Sequence, residues 1–401
     1  MSEQMVEISS SYQMLLESAK KVSPRLKERV QEVDQLRMLP QDTISELKAA
    51  GLFKILTPKK YGGHQLNFRQ YLDIVSELGK GCGSTAWVSS LINVVNWMVA
   101  TTFTEEVHKI VFGEDGDVNC CGVLEPRNCE VRREPDGVYI KKGLWGFASG
   151  SRHADYFFLG IPIVNENGVT EGLGAALLPK KYVKILDDWH TISMRGTGSN
   201  SVTVEDVFVP NSWVTSISKA IKGDYPSTHL QNQALYRSAF IPVSALVLMA
   251  PGLGLGIAAK EYFIEKLPSR RIQYTWYNKQ AEAPVTHLQL AEAVMKIEAA
   301  SLLTYRAADE IDKWAQKDVY MDFNSRVQVR ADCSYANRLV SEAVDIFMSM
   351  GGGSVISENN TLSRIMKDAK TPPQHGLIVP TTGLELYGRI LAGQESNTLL
   401  V

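Results

Sequence analysis

The spacing of apolar positions changes twice along this chain. From about residue 10 to residue 115 they recur at helical intervals. Gln41 to Ala50 reads as one helix, with Pro40 near its first turn and Gly51 just past its end, the expected asymmetry of start and stop. A second, more apolar helix is predicted over Ser84 to Ala100. From about residue 118 to residue 215 the pattern shortens to strand-like runs between turn residues. Asp136-Gly137 marks a turn before Val138-Tyr139-Ile140, Tyr156 to Val164 is β-rich, and Ser201 to Val204 alternates before Val207-Phe208-Val209 stops at Pro210. Beyond about residue 228 helical spacing returns. Thr286 with Gln289 reads as a capping box, and Leu290, Val294, Ile297, Tyr305, Ala308 and Ile311 then share one stripe.

Three domains follow from this: an N-terminal helical domain over residues 1–117, a middle β domain over 118–225, and a C-terminal helical bundle over 226–401. Helices, then strands, then helices, without βαβ alternation, argue against a Rossmann or barrel enzyme and for a mostly α chain with a central β domain.

Composition narrows the function classes. An apolar content of 44%, a charged content of 21% and a net charge of −2 describe an ordinary globular chain with no electrostatic case for nucleic acid or an anionic membrane. Glu3 and Glu7 fall where a secretion signal would need apolar residues. The apolar run from Ala239 to Ala259 is interrupted by Pro242, Ser244 and Pro251, so it is expected as a buried helix and loop, not a membrane span. Cys82, Cys120, Cys121, Cys129 and Cys333 are odd in number and without framework spacing, which points to reduced thiols in a cytoplasmic protein. No spacing of His and Cys suggests a metal site, Gly252-x-Gly254-x-Gly256 lacks the dinucleotide pattern, and Gly79-Lys80 is followed by Gly81 where a phosphate-binding loop needs Ser or Thr.

What remains is an ordered set of segments: Leu36 to Pro40, Gly51-Leu52-Phe53, Pro58 to Gly63, Cys82 to Trp87, Phe147 to Ala154, Trp189 with Arg195 to Asn200, Asp206 to Pro210, and Asp368-Ala369-Lys370 followed by His375. Together they resemble the acyl-CoA dehydrogenase superfamily over nearly the whole length. The resemblance is nearer to the oxygenase components of two-component flavin monooxygenases that hydroxylate phenols or indoles. It implies an acyl-CoA dehydrogenase-like fold with helical, β-barrel-like and four-helix-bundle parts. In the dehydrogenases a catalytic glutamate follows the Asp-Ala-Lys; here His375-Gly376 stands in its neighbourhood, and no Asp or Glu occurs between Asp224 and Glu261, the other place for that base. An acyl-CoA dehydrogenase is therefore the weaker alternative, beside N- or S-oxygenation on the same fold.

The resemblance also assigns roles. Ser149 falls where these monooxygenases place a hydroxyl beside flavin N5, protecting a C4a-hydroperoxide, although alone it reads as a turn residue. His375 falls beside the reacting face of the flavin, a place for a group that titrates near neutrality. Phe147, Ala148, Trp189, Thr197 and Ser199 are implied to line the flavin, Trp189 being at least as readily a core residue. Arg271 and Gln273 resemble a motif that reaches flavin phosphates of a neighbouring subunit, and Gly351-Gly352-Gly353 either lets backbone approach the cofactor or caps a helix. Trp87, Val95, Asn96, Gly122 and Val243 are implied substrate residues.

One departure bears on the substrate. Phenol-hydroxylating relatives carry a histidine at the position of Val95 and a serine near Gly122. Valine cannot stabilise a phenolate, so a neutral electron-rich ring such as an indole suits this site better, with Asn96 or Trp97 offering a polar edge. The implied cofactors are reduced flavin (FADH2 or FMNH2) and O2. The implied partners are a separate NAD(P)H-dependent flavin reductase and a small aromatic substrate, on a homotetramer with shared cofactor sites.

Overall fold

A computed structural model describes residues 3–317 and 319–401. The first six helices are α1 (Glu3–Glu28), α2 (Val30–Leu36), α3 (Gln41–Ala49), α4 (Phe68–Gly81), α5 (Gly83–Thr102) and α6 (Glu105–Phe112). The predicted start and stop of α3 hold, with Pro40 at the N-cap and Gly51 in the left-handed region at φ 74°. In α5 every residue but Leu91 is buried, its serines, threonines and Asn93 and Asn96 included.

Eight strands follow: β1 (Cys120–Val123), β2 (Asn128–Glu134), β3 (Gly137–Ala148), β4 (Tyr156–Val164), β5 (Thr170–Pro179), β6 (Lys184–Ile185), β7 (Asn200–Pro210) and β8 (Val214–Ser216). They form two four-stranded sheets, ordered β1-β4-β5-β8 and β2-β3-β7-β6, antiparallel except for the β1–β4 pair. A separate apolar core lies between the sheets, and the Trp145 indole N–H bridges them by donating to Gly160 O at 2.7 Å. The inward phase of β7 passes from Val202 and Val204 to Val207 and Val209 across Asp206, which takes a positive φ of 54°.

The remaining helices are α7 (Ile217–Ala220), α8 (Phe240–Leu246), α9 (Met249–Lys266), α10 (Pro284–Gln316), α11 (Phe323–Met350), α12 (Thr361–Ala369) and α13 (Pro380–Leu391). All but α13 share one core with the N-terminal helices, so the helical parts on either side of the sheets pack as one body, and α13 adds a small cluster of its own with Val327 and Val401. The apolar run in α8 and α9 is long enough to cross a membrane but is 94% buried in this core. Gly252, Gly254 and Gly256 lie within α9. There Gly254 sets the approach to α4: a Cβ on it would fall 2.2 Å from Ser76 O and 2.7 Å from Gly79 Cα.

The expected capping box at Thr286 and Gln289 does not form. Pro284 takes the first turn, where its missing N–H costs nothing, and α10 therefore starts early enough to put Thr286 inside the helix and bury it. The stripe behind it is as expected: Ile297, Ala308 and Ile311 are buried and Leu290, Val294 and Tyr305 pack against the same core.

Candidate active site

Ser149 opens the turn after β3, where the chain leaves the sheet through Phe147 and Ala148. Phe147 has φ 63° and its ring is 66% exposed, a strained backbone and a bare aromatic face together. Its ring meets Trp189 edge to face at 6.0 Å. Ala148 is fully buried beneath them. The turn is tied to the loop Met194–Asn200 by Gly150 N donating to Thr197 O at 2.8 Å. Met194, another non-glycine in the left-handed region, turns that loop so that Thr197 and Ser199 face Ser149.

The three hydroxyls form a buried row. Ser149 Oγ lies 2.7 Å from Ser199 Oγ, which lies 2.7 Å from Thr197 Oγ1, and Thr197 donates to Met194 O at 2.8 Å. At the other end the Trp87 indole N–H, from α5, donates to Ser149 Oγ at 3.1 Å. Trp189 Nε1 also donates to Met194 O, at 3.2 Å. Ser149, Thr197, Ser199 and Trp189, read separately in the sequence, thus stand in one group, with Trp87 joined to it.

Trp87 links this group to His375, whose ring centroid is 6.0 Å away. His375 follows the short turn Pro372–Gln374 after α12. Its Nδ1 accepts from Leu377 N at 3.3 Å, which assigns the ring proton of the neutral form to Nε2. Burial lowers its pKa to about 4, so the ring is neutral at ordinary pH and Nε2–H is a donor. Asp368, the carboxylate nearest in sequence before it, is turned inward: it accepts from Met194 N at 2.8 Å, and burial raises its pKa to about 6. Asp368 thereby fixes the loop that carries Thr197.

Sequence reasoning passed over Arg330 of α11. Its buried guanidinium donates to Leu377 O at 3.1 Å, Gly376 O at 3.3 Å and Leu400 O at 2.5 Å. Three carbonyl dipoles stabilise this cation and in return seat the His375 turn. The available signal was a charge among Val327, Val329, Ala331 and Cys333 on a helix that buries them all.

Val95 and Gly122 meet directly. A Cβ on Gly122 would lie 2.8 Å from a Val95 methyl, so each accounts for the other's size. Asn96 is turned away from that contact. Its amide donates to Val118 O at 3.0 Å and Phe53 O at 3.3 Å and accepts from Cys120 N at 3.2 Å. Trp97 donates to Leu235 O at 2.9 Å. The polar edge expected from Asn96 or Trp97 is therefore absent, because both polar groups are committed to backbone. Val243 is fully buried in α8.

The other flavin candidates gather in a second cleft of about 690 Å³ on the C-terminal helices. Arg271, Gln273 and Gly351–Gly353 line it, together with Lys266 and Arg270. Arg270 donates to Gly351 O, and Gln280 donates to Met350 O at 2.9 Å, so the glycine turn is braced from two sides. Gly352 has φ 61°, and a Cβ on Gly353 would meet nothing within 4 Å, leaving backbone open to an approaching group. Arg271 pairs with Gln273 at 2.8 Å in an exposed position. No residue of the Ser149 group lines this cleft. Among the described residues no cluster of His, Cys, Asp and Glu could hold a metal ion.

Comparison with known proteins gives the same assignment from another direction. Residues 9–111 match the acyl-CoA dehydrogenase N-terminal domain and residues 246–380 match the acyl-CoA dehydrogenase C-terminal domain. The chain is 29% identical to the flavin-dependent monooxygenase oxygenase subunit HsaA of Rhodococcus jostii over 91% of its length and 94% of that protein's. It is 28% identical to an indole-3-acetate monooxygenase of Acinetobacter baumannii over 89% of its length and 90% of that protein's. Among solved structures, XiaF from a Streptomyces species, in complex with FADH2 and glycerol, superposes with a TM-score of 0.92 at 28% identity, covering 99% of each chain. The chain belongs to the acyl-CoA dehydrogenase superfamily, in the branch of flavin-dependent monooxygenases.

Proposed function

We propose that this chain is the oxygenase component of a two-component flavin monooxygenase that uses reduced flavin and O2 to oxygenate a neutral, electron-rich aromatic ring, of which indole is the type. The observation that carries this reading is the buried hydroxyl row at Ser149, faced across Trp87 by a neutral His375 where a proton-abstracting carboxylate would otherwise stand.

The residues present fit a flavin. Phe147 and Trp189 offer an aromatic wall, Ser149 offers a hydroxyl, and the Arg271 cleft offers a guanidinium and open glycine backbone of the kind phosphates use. Reduced flavin supplies the activation of oxygen when bound. The chain's own residues do the rest. Ser149 Oγ can accept a hydrogen bond from the N5–H of reduced flavin, Nε2–H of His375 can donate to an oxygen atom, and the Val95–Gly122 contact gives an apolar wall that favours an uncharged ring over a phenolate.

The cofactor is FADH2 or FMNH2, and the FADH2 complex of XiaF favours the former. A separate NAD(P)H-dependent reductase delivers it. The assembly is a homotetramer, a reading supported by α10, where Leu288, Met295 and Leu302 recur every seven residues and are 74%, 62% and 72% exposed. The compartment is cytoplasmic, in keeping with thiols that are all unpaired and four of them buried.

The test supplies anaerobically reduced FAD or FMN, admits oxygen with indole, indole-3-acetate or simple phenols, and quantifies product and hydrogen peroxide. Oxygenated indole-type product is expected, with phenols turned over less well and Val95→His shifting the preference toward them. No oxygenated product from any ring, together with bleaching of bound oxidised flavin by an acyl-CoA, would make the protein a dehydrogenase.

A further inference from the structure

The hydroxyl row has a direction, and both of its ends fix it. Trp87 Nε1 can only donate, so one lone pair of Ser149 Oγ is taken at 3.1 Å. Met194 O can only accept, so the single proton of Thr197 Oγ1 is committed there at 2.8 Å. Thr197 then has no proton for Ser199, and the 2.7 Å contact between them must carry the proton of Ser199. Ser199 in turn has none left for Ser149, so the remaining 2.7 Å contact carries the proton of Ser149. The opposite arrangement would press two oxygen atoms together at 2.7 Å with no proton between them, which electrostatics opposes. The four side chains are each no more than 6% exposed, so water has little access to reverse the order.

We infer that Thr197 and Ser199, through this one-way chain from Trp87 to Ser149 to Ser199 to Thr197 to Met194 O, hold the Ser149 hydroxyl as an acceptor and so set how strongly the site prefers reduced over oxidised flavin. The inference rests on the reading that the flavin ring binds at Ser149. With its proton spent inward, Ser149 presents only a lone pair to a bound ring. Reduced flavin carries a proton on N5 and satisfies that lone pair. Oxidised flavin presents a lone pair at N5, and two acceptors then face each other. Thr197 and Ser199 touch no cofactor in this scheme; they are positioning residues that set which way the Ser149 hydroxyl points. Spent flavin is thereby released by the same group that welcomes its reduced form.

The test is a pair of titrations, one with oxidised FAD and FMN and one with the dithionite-reduced forms under anaerobic conditions. Wild-type protein is expected to bind the reduced form at least about tenfold more tightly, the scale of one hydrogen bond gained against one unmade. Thr197→Val removes the terminal proton sink while keeping the side chain's shape. Ser199 can then donate toward Ser149, whose own proton turns outward. Oxidised flavin should bind about tenfold better, with the reduced-flavin Kd changed less than about twofold. Ser199→Ala should act in the same direction, and Thr197→Ser should keep the wild-type ratio. A ratio of the two Kd values that stays the same in both Thr197→Val and Ser199→Ala, in protein whose melting temperature shows it folded, overturns the inference and leaves the functional reading standing. Wild-type protein that binds neither redox form overturns the functional reading and this inference with it.

Discussion

Around Ser149 the chain satisfies its own polar groups: three hydroxyls, an indole N–H and a backbone carbonyl close on one another in the interior. The cleft at Gly351–Gly353 is built the other way, with Arg271 out in solvent and Tyr274 and Trp276 beside it almost fully exposed. The first arrangement is rigid before any ligand arrives, as a group that must meet one atom of a ring needs to be. The second offers charge and bare aromatic surface that no described residue covers, as expected of a half-site completed by another subunit. On the proposed tetramer, reaction control would sit where one chain suffices, and cofactor grip where a second chain completes the cleft.

Removing the hydroxyl at the first site should have the largest effect. Ser149→Ala is expected to cut product formed per oxygen consumed about tenfold, with peroxide rising to match, because one buried hydrogen bond is worth about 1 to 1.5 kcal/mol; assaying both products together checks it. Arg271→Ala should instead weaken reduced-flavin binding by about tenfold at low salt while the product-to-oxygen ratio holds. The gap between variant and wild type should narrow as ionic strength rises. If Arg271→Ala also uncouples the reaction, the two sites are not divided as described.

A smaller effect is expected at Arg330. Arg330→Gln should lower the product-to-oxygen ratio two- to threefold by loosening the turn at Gly376 and Leu377, with a lower melting temperature. The loss of coupling should vanish in a His375→Gln background, whereas the loss of stability should persist; equal uncoupling in both backgrounds would deny Arg330 any part in placing the histidine. The smallest effect concerns pH. A folded pKa of about 4 for His375 lies below its usual 6.5, so the ring stays neutral above about pH 5; only as pH falls toward 4 does it gain a proton at Nδ1, which keeps Nε2–H but ends the bond accepted from Leu377 N. The product-to-oxygen ratio should be flat from pH 5.5 to 8. By the same linkage the unfolded chain binds this proton first, so the histidine's contribution lowers stability as pH falls from 6.5 toward 4. A titration near pH 6.5 in the coupling ratio would show the ring to be solvated.

Much of this division was legible in the sequence. The change from helical to strand spacing located the sheets, Tyr156–Val164 appears as β4 with the same bounds, and Thr197, Ser199 and Ser149 were singled out before their contact was visible. What pattern could not supply is the direction in which a polar group points. Asn96 and Trp97 adjoin Val95, yet a helix turns successive residues by about 100 degrees, and their amide and indole groups close backbone joints on other sides. Trp87 is expected from the sequence only as a substrate residue, whereas its single N–H anchors the hydroxyl row. Thr286 and Gln289 had the right chemistry for a cap, and Pro284 moved the helix start past them. Arg330 was hidden because its partners are carbonyls, which every residue carries and no alphabet of side chains displays.

The guanidinium that seats the His375 turn also holds Leu400, and Arg326 one turn earlier holds Val401. Leu400 is therefore joined to the turn that carries His375 through one shared guanidinium. Whatever displaces Leu400 from that guanidinium should loosen the histidine's turn as well. Strain applied at Leu400 and Val401 should thus surface as peroxide, far along the sequence from the hydroxyls that govern it.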